Sequence, residues 1–291
     1  MAGHLTEALE QVTDALCYHG EGPVWSPTWG GLRWVDMLAG DVLTLRSAGA
    51  KPSDAVVDRM HVGGVAAFLR PRTRGGWVVA TERGIARAVE ADGIPTPWVS
   101  LWDDPAVRMN EGGVDGRGRL WAGSMGYARV PGSATLHRID PDGAVGVVLT
   151  GVTISNGIDL SPDHRLAYYN DTPTGRTDIF DVQDGELTGR RPFVTHDVGH
   201  PDGLTVDSAG NVWVALNGAG RVRCHSPQGE VLAEVVLPVR LTTACTLGGA
   251  DLRDLYVTTS REDLDAPEPE AGALFRIRVA VPGLAVRAFA G

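Results

Sequence analysis

Lysine, cysteine and long apolar runs are all scarce in this 291-residue chain, and each scarcity argues against a class of protein. No apolar stretch approaches the ~20 residues that a membrane-spanning helix requires. Lys51 is the only lysine, the arginines form no stripe and the formal net charge is −10, so the sequence does not predict a nucleic-acid surface. Cys17, Cys224 and Cys245 stand at scattered spacings, which fit neither a disulfide framework nor a zinc-thiolate site.

Targeting signals and helical periodicity are also missing. Residues 1–14 lack the basic and apolar regions of a secretory signal, and free thiols are typical of a reducing compartment. We therefore expect a cytoplasmic protein, monomeric or weakly homo-oligomeric, with neither nucleic acid nor a membrane as a partner. Only the stretch from Leu5 to Leu16 hints at a helical period, so a mainly helical fold is not expected.

The sequence contains a motif that recurs six times: a turn rich in Gly, Asp or Pro, followed by an apolar-aromatic pair and a short strand. The copies are 43 to 47 residues apart. A repeat of about 40–50 residues with several strands in each unit is typical of a β-propeller. The aromatic anchors of the six copies are Trp34, Trp77, Trp121, Tyr168, Trp213 and Tyr256.

Turn signals divide each repeat into strands. Asp-Gly or Pro-x-Gly stands between apolar runs, for example at Asp142-Gly143 and Asp184-Gly185, and such pairs favour hairpins. The sequence therefore predicts an all-β fold, a six-bladed β-propeller with four antiparallel strands per blade, in which residues 1–291 form a single domain. The segment before Glu21 is expected to supply the last strand of the sixth blade and to close the ring.

Polar residues recur at one phase of the repeat. A carboxylate or carboxamide stands 11 to 13 residues before the anchor in four of the six units, each with Gly or Pro-Gly close by. Since the innermost strand of every blade lines the central channel, these side chains are expected to meet near one mouth of it. A single Asn-Gly or Asp-Gly is usually an ordinary turn, but four in phase indicate a shared site. The four residues are Glu21, Asn110, Asn156 and Asp202.

Oxygen ligands of this kind suit a divalent cation. Glu21, Asn156 and Asp202 offer two carboxylates and one amide oxygen, which fit Ca²⁺, Mg²⁺ or Mn²⁺, or Zn²⁺ in a less typical setting. Three protein ligands leave coordination positions for water and substrate, as in a catalytic site. We therefore predict one divalent cation as the cofactor, bound at one mouth of the channel.

Several long motifs, in order along nearly the whole chain, carry a family resemblance. The chain resembles the regucalcin/gluconolactonase family of six-bladed propellers, which includes senescence marker protein and luciferin-regenerating-enzyme-like proteins. The resemblance implies a divalent-metal-dependent hydrolase whose partner is a small sugar lactone, opened to the aldonic acid. The matching motifs are EGPVW from Glu21, RMNEGGVDGRGRLWAGSM from Arg108, SNGIDLSPDHRLAYYNDT from Ser155, PDGLTVDSAGNVWVAL from Pro201 and DLYVTTS from Asp254.

The resemblance also implies a role for individual residues. Glu21, Asn156 and Asp202 match the family's metal ligands, and Arg108 and Asn110 match its substrate-contacting positions. Asp202 is the best candidate for the catalytic residue that accepts a proton from the attacking water, because it lies at the metal and is ionised at neutral pH. No covalent intermediate is implied, since no GxSxG motif is present.

Departures from the family pattern bear on specificity. Glu111 stands where the family usually has the shorter Asp, and we predict that it contacts the substrate. No Glu follows Met125, and Leu247 replaces a usual Phe. These changes predict a preference for lactones other than gluconolactone, with pentonolactones such as arabino- or xylonolactone the leading candidates. The alternative is that Glu111 points into the blade or caps a turn.

Two other functions stay open at the sequence level. The propeller could bind calcium without turnover, or it could hydrolyse a different ester, such as an organophosphate or a bulkier lactone. His200, next to Pro201, is either a proton shuttle or an ordinary loop histidine. The acidic, proline-bearing segment from Arg261 to Gly272 is expected to be a solvated loop, with a lid as the alternative.

Overall fold

Six four-stranded antiparallel sheets contain every strand of residues 5–291, the part of the chain that the structure describes. The structure is a computed structural model. The first strand of each blade contacts the first strands of both neighbouring blades, so six first strands surround a central channel. The prediction of an all-β, six-bladed propeller with four antiparallel strands per blade is confirmed.

The strands are short and evenly distributed along the chain. Blade 1 consists of β2–β5, and each of the next four blades takes the following four strands, while blade 6 consists of β22–β24 together with β1. In chain order the strands are β1 (Glu10–Gln11), β2 (Gly20–Ser26), β3 (Gly31–Asp36), β4 (Asp41–Ser47), β5 (Val56–His61), β6 (Ala66–Pro71), β7 (Trp77–Thr81), β8 (Gly84–Ala88), β9 (Thr96–Ser100), β10 (Val107–Val114), β11 (Leu120–Gly126), β12 (Ala134–Ile139), β13 (Val145–Val152), β14 (Ser155–Leu160), β15 (Leu166–Asp171), β16 (Arg176–Gln183), β17 (Glu186–Thr195), β18 (His200–Val206), β19 (Val212–Asn217), β20 (Arg221–His225), β21 (Val231–Val236), β22 (Thr242–Gly248), β23 (Asp254–Thr259) and β24 (Phe275–Arg278).

Among the described residues, helical structure is confined to single 3₁₀ turns in the connections. Within residues 5–291 these turns are Pro27–Trp29, Met37–Ala39, Pro52–Asp54 and Thr172–Thr174. No helix in that part of the chain is long and apolar enough to cross a bilayer.

The N-terminal segment closes the ring, as the sequence predicts. Strand β1 pairs antiparallel with β24, with Glu10 opposite Arg276 and Gln11 opposite Phe275. The Arg276 guanidinium also donates to the Glu10 carboxylate at 2.7 Å. Because blade 6 is assembled from both ends of the chain, opening the ring requires breaking a sheet rather than a loop.

The aromatic anchors form the packing between blades. Each lies on the second strand of its blade and is at most 5% exposed. Burying a large aromatic side chain contributes on the order of 2–3 kcal/mol, so one anchor per blade is a repeated source of stability. All six anchors are core residues: Trp34, Trp77, Trp121, Tyr168, Trp213 and Tyr256.

The turn before an anchor explains why Asp recurs there. The Asp207 carboxylate accepts the backbone N–H groups of Ala209 at 3.0 Å and Asn211 at 2.9 Å, and it accepts Nε1–H of Trp213 at 3.2 Å. Asp115 makes the same kind of turn in blade 3. Side-chain bonds of this type fix the turn locally and set the register of the strand that follows.

The three thiols are buried and free, in agreement with the sequence expectation. Burial raises the pKa of the Cys17 thiol to about 12. Thiols in such surroundings are structural, since the reactive form of cysteine is the thiolate.

The two mouths of the channel differ. At the mouth where the first strands end, the C-terminal segment crosses the propeller, with Gly283 bridging to Asp207 and Phe289 bridging to Arg72. The Phe289 ring is fully buried there. The in-phase polar residues lie at the opposite mouth, where the first strands begin. The sequence gives no periodic signal for this C-terminal crossing, because the segment is not part of any repeat.

Acidification is expected to destabilise the junction between blades 4 and 5. His196 follows β17 and His225 ends β20, with ring centroids 5.6 Å apart. Within the described residues, His196 Nδ1 and His225 Nε2 are buried without a hydrogen-bond partner. Burial lowers the pKa of His196 to about 4, reinforced by His225 and Arg223. Since the unfolded chain binds the proton near pH 6.5 and the folded protein does not, stability falls as the pH drops through this window.

His196 is expected to contribute a loss of about 2 kcal/mol between about pH 7 and pH 5, measured as the difference between wild type and His196→Gln in the free energy of unfolding in urea. His196→Gln should remove most of that pH dependence. His164→Gln is the matched control, because His164 is exposed. An equal pH dependence in wild type and His196→Gln would contradict this account.

Candidate metal centre and active site

The site is built on β-bulges in the first strands. Pairing between the first and second strands shifts register after Glu21 in blade 1, between Met109 and Gly112 in blade 3, between Ser155 and Ile158 in blade 4, and between Pro201 and Leu204 in blade 5. A bulge turns a side chain out of the regular alternation and commonly occurs beside functional sites. The in-phase residues stand at these bulges, which explains why they share one height along the channel.

Glycine after the site residue lets neighbouring first strands approach closely. A Cβ on Gly157 would lie 2.5 Å from the backbone nitrogen of Leu204, and a Cβ on Gly203 would lie 2.4 Å from Cβ of Ala244. A side chain at either position would therefore push adjacent blades apart. The glycines that accompany the in-phase polar residues thus have a packing role.

Five of the six predicted site residues line one cavity. The cavity has a volume of about 450 Å³ and lies at the mouth where the first strands begin. Its size is that of a small-molecule site. The predicted residues that line it are Glu21, Arg108, Asn110, Asn156 and Asp202.

The two carboxylates of the predicted metal set are buried and repel each other. Glu21 Oε2 accepts the N–H of Gly22 at 2.9 Å, and Asp202 Oδ2 accepts Nδ2–H of Asn217 at 2.9 Å. Burial, followed by the charges of Asp202 and Glu111, raises the pKa of Glu21 well above its usual range. Burial raises the pKa of Asp202 to about 8, with the Asn217 bond opposing and the Glu111 charge adding to the shift. A cation between these carboxylates would remove the repulsion.

The amide of Asn156 is oriented by its neighbours. The Thr172 hydroxyl donates to the backbone oxygen of Pro201 at 2.9 Å, so it accepts the bond from Asn156 Nδ2 at 3.0 Å. The amide nitrogen is thereby held at Thr172, while Oδ1 is buried and has no hydrogen-bond donor among residues 5–291. A buried carbonyl oxygen without a donor is unfavourable unless another positive group meets it.

The donor set therefore fits a hard divalent cation. Glu21, Asn156 and Asp202 provide two carboxylates and one unpartnered amide oxygen, the ligand chemistry of Ca²⁺, Mg²⁺ or Mn²⁺. Within residues 5–291, no three side chains of His, Cys, Asp or Glu are grouped as a metal site. The third donor of this set is an amide, which lies outside those residue types.

Arg108 and Asn110 form a hydrogen-bonded pair beside the predicted ligands. Arg108 Nη1 donates to Asn110 Oδ1 and to the backbone oxygen of Met109, both at 2.9 Å. Asn110 Nδ2 donates to the backbone oxygen of Ser155 at 2.9 Å. Both polar atoms of Asn110 are thus engaged within the protein, and its amide holds the Arg108 guanidinium in the cavity.

Glu111 lies apart from this cavity. It lines a small space deeper in the channel, where Oε1 accepts the N–H of Gly112 at 2.9 Å and lies 3.8 Å from Nη2 of Arg70. Successive strand residues point to opposite sides, so Asn110 and Glu111 diverge. The structure does not bring Glu111 together with the other predicted substrate-contacting residues.

The cavity also contains residues that the repeat pattern does not predict. His19 stands two residues before Glu21, and the period of a strand predicts that both face one side. Its Nδ1 lies 2.8 Å from Ser260 Oγ and 3.3 Å from Glu262 Oε2. Loop residues Arg129, Glu262 and Asp263 carry no repeat signal. The cavity-lining residues that were not predicted from the sequence include His19, Arg129, Asn217, Ser260, Glu262 and Asp263.

Of three further histidines, one lines the cavity and two lie elsewhere in the propeller. His200 lines the cavity, as its position next to Pro201 suggested. His61 does not line it, and its Nδ1 lies 2.8 Å from Asp41 Oδ1. His196 belongs to the blade junction described above. The segment after Arg261 contributes Glu262, Asp263 and Leu264 to the cavity wall, so part of it is not a purely solvated loop.

Comparison with known proteins gives a consistent result. The SMP-30/gluconolactonase/LRE-like region family matches residues 19–261. The 6-deoxy-6-sulfogluconolactonase of Pseudomonas putida is 37% identical over 99% of this chain and 100% of its own length. Regucalcin of Danio rerio is 35% identical over 89% of this chain and 90% of its own. The crystal structure of a calcium-binding protein, regucalcin, from Agrobacterium tumefaciens aligns with a TM-score of 0.86 at 26% identity, over 99% of this chain and 97% of that one. The chain belongs to the SMP-30/gluconolactonase/LRE-like family.

Proposed function

We propose that this protein is a divalent-metal-dependent hydrolase that opens a sugar lactone to the aldonic acid. The observation that carries the proposal is the convergence of Glu21, Asp202 and the unpartnered Oδ1 of Asn156 with Arg108 in one cavity. Family membership and the name of the sulfogluconolactonase relative support a lactone as the substrate.

Glu21, Asn156 and Asp202 would hold the cation. When bound, a divalent cation polarises a carbonyl group and favours deprotonation of water. Asn217 donates to Oδ2 of Asp202, which fixes the carboxylate that would accept a proton from the attacking water. Water adds to the lactone carbonyl carbon, the bond from that carbon to the ring oxygen breaks, and the proton passes from Asp202 to the leaving ring oxygen.

Arg108 would position the sugar. Its guanidinium is held by Asn110 and the Met109 carbonyl, so the side chain is ordered before the substrate arrives. A fixed guanidinium binds sugar oxygens without reorganisation and so holds the substrate in the reacting position. Asn110 would act by holding Arg108, since both of its own polar atoms are engaged within the protein.

The basic test is acid release from glucono-δ-lactone, followed with a pH indicator, with and without a chelator. Turnover that the chelator abolishes and added cation restores supports the proposal. The second candidate function, a calcium-binding propeller without turnover, is suggested by the description of the related regucalcin as a calcium-binding protein. Calorimetric binding of Ca²⁺ with no turnover of any lactone, under several metals, would favour that alternative.

Arg108→Gln separates substrate contact from metal binding. We expect kcat/KM for the lactone to fall by about 10²-fold, because a group that holds the substrate in position is lost. Cation affinity should be unchanged or tighter, since a positive charge that interacts with Glu21 has been removed. Calorimetry with the metal alone measures this, and Arg117→Gln, at an exposed turn, is the charge-matched control. Loss of the metal in Arg108→Gln would show that Arg108 supports the metal site instead.

A further inference from the structure

Arg108 is a buried cation that forms no ion pair with a carboxylate in the part of the chain that the structure describes. Its side chain is 4% exposed, and its hydrogen bonds to the protein, made through Nη1, go to Asn110 and a main-chain oxygen, with a sulfur contact to Met37. Glu262 and Glu21 are near enough to interact with it electrostatically, but within residues 5–291 neither forms an ion pair with it. A guanidinium buried in this way is stabilised by an anion that it can bind directly.

A second arginine reaches the same cavity from the loop between β11 and β12. Arg129 is in the left-handed region, with φ of 53°, and its backbone N–H donates to Gly126 at 2.9 Å. This conformation is unusual for a residue with a side chain and fixes the direction in which the loop presents it. The Arg129 side chain lines the cavity and is half exposed.

The acidic neighbours of Arg129 do not use its hydrogen-bond donors. Nη2 of Arg129 lies 3.8 Å from Glu262 Oε1 and 3.6 Å from Asp263 Oδ2. Both distances exceed a hydrogen bond, so these pairs are weak and screened by water. The N–H groups of Arg129 are therefore available to a ligand with better geometry.

We propose that Arg129, with Arg108 beside it, binds an anionic group that the lactone carries away from its carbonyl. The proposal rests on the proposed lactonase function and names the substrate class: sugar lactones with a sulfonate at the end of the chain. A guanidinium binds such oxyanions through two parallel hydrogen bonds, a geometry that a neutral hydroxyl cannot match.

The division of charges in the cavity agrees with this assignment. Glu21 and Asp202 would be balanced by the cation, so the reacting end of the lactone belongs at that side. Both arginines belong to blade 3, whereas the three predicted cation ligands come from blades 1, 4 and 5. The related Pseudomonas putida protein is named for a lactone with a sulfonate at its 6-position, a substrate of this kind.

The test compares lactones that differ only in charge at the chain end. Wild type, Arg129→Gln and Arg129→Lys are assayed with 6-deoxy-6-sulfogluconolactone, 6-phosphogluconolactone and glucono-δ-lactone. For Arg129→Gln, kcat/KM should fall at least about tenfold with the sulfonated lactone and less than about threefold with the neutral one, whereas Arg129→Lys retains most activity. A larger loss with the phosphorylated lactone than with the sulfonated one would reassign the anion to phosphate and overturn the sulfonate assignment. Arg165→Gln, an exposed arginine 3.9 Å from Asp163, is the control for net charge.

A binding measurement separates this proposal from the lactonase proposal. Calorimetry with the ring-opened acid, 6-deoxy-6-sulfogluconate, should give at least about tenfold weaker binding to Arg129→Gln than to wild type, and gluconate should show no such difference. Absence of turnover with every lactone, combined with Arg129-dependent binding of the sulfonated acid, would refute the lactonase function alone. Equal losses for charged and neutral lactones, or no loss for either, would overturn the anion site.

Discussion

Glu21→Gln and Asp202→Asn are expected to weaken divalent-cation binding by at least about 100-fold and to lower lactone hydrolysis by about 1,000-fold. Each substitution keeps the size of the side chain and removes one of the two negative charges in the donor set. A hard cation binds anionic oxygen far more strongly than amide oxygen. Calorimetry with Ca²⁺, Mn²⁺ and Zn²⁺ and a metal-buffered lactonase assay measure the two effects.

Although Glu21→Gln and Asp202→Asn should weaken cation binding, each should leave the metal-free protein as stable as wild type or more stable. Burial and mutual repulsion raise the pKa of both carboxyl groups in the folded protein, so removing one charge relieves an unfavourable interaction. In chelator, Tm of each variant should equal or exceed that of wild type. With saturating cation the order should reverse, because a ligand that binds only the folded protein stabilises it.

Asp181→Asn is the matched control for this pair of variants. It removes the same unit of charge from an exposed ion pair with Arg191, on the outer part of blade 4. It should leave cation affinity and turnover near the wild-type values. If Glu21→Gln and Asp202→Asn bind cation as tightly as this control, the metal centre is not at these residues.

The sequence could predict the parts of the molecule that repeat. Each blade buries one aromatic anchor on its second strand, and this requirement recurs at nearly constant spacing, so the blade count follows from the anchors. The same periodicity relates Glu21, Asn156 and Asp202, because equal phase in different blades means equal height along the channel. Closure through β1 followed from the need to complete the sixth sheet.

The remaining features depend on geometry that has no period. Counting residues from the anchor cannot decide which of two adjacent residues at a bulge faces the cavity, so Asn110 and Glu111 were both selected for substrate contact. Arg129 and Glu262 lie on connecting loops outside the repeated motif, so the spacing of the repeats does not predict where their side chains lie. The unpartnered state of Asn156 Oδ1 depends on Thr172, which is distant from it along the repeat.

Glu111 is expected to stabilise the folded protein from within the central channel. Its carboxylate is buried in the channel beside Arg70, whose guanidinium donates to the backbone oxygens of Leu69 and Gly112. Removing one partner of a buried ion pair leaves the other charge uncompensated, at a cost of about 3 kcal/mol. We therefore expect Glu111→Gln to lower the free energy of unfolding in urea by about this amount.

Relief of burial and repulsion opposes that loss, because burial raises the pKa of Glu111 while the Arg70 charge opposes the shift. The loss is therefore expected in the cation-bound protein. The Glu111 charge contributes to the raised pKa values of Glu21 and Asp202, so its removal favours the metal-free protein. With cation bound, those carboxylates are compensated and the unpaired Arg70 dominates the balance. The double variant Glu111→Gln/Arg70→Met should recover at least half of the loss, since both charges then leave the channel. Asp181→Asn, at an exposed pair, should cost at most about 1 kcal/mol.

The same variants decide between the two interpretations of Glu111. A residue that stabilises the channel should change unfolding without changing the ratio of kcat/KM between hexonolactones and pentonolactones, and Glu111→Asp should also leave that ratio unchanged. If Glu111 contacts the substrate instead, its substitution should change the ratio of kcat/KM between hexonolactones and pentonolactones and leave unfolding unchanged. The position of Glu111 beside Arg70, away from the cavity that contains Arg108 and Asn110, favours the first outcome. An unchanged urea midpoint together with a changed kcat/KM ratio would show that Glu111 contacts the substrate. The first strand of blade 3 would then have to turn when substrate binds.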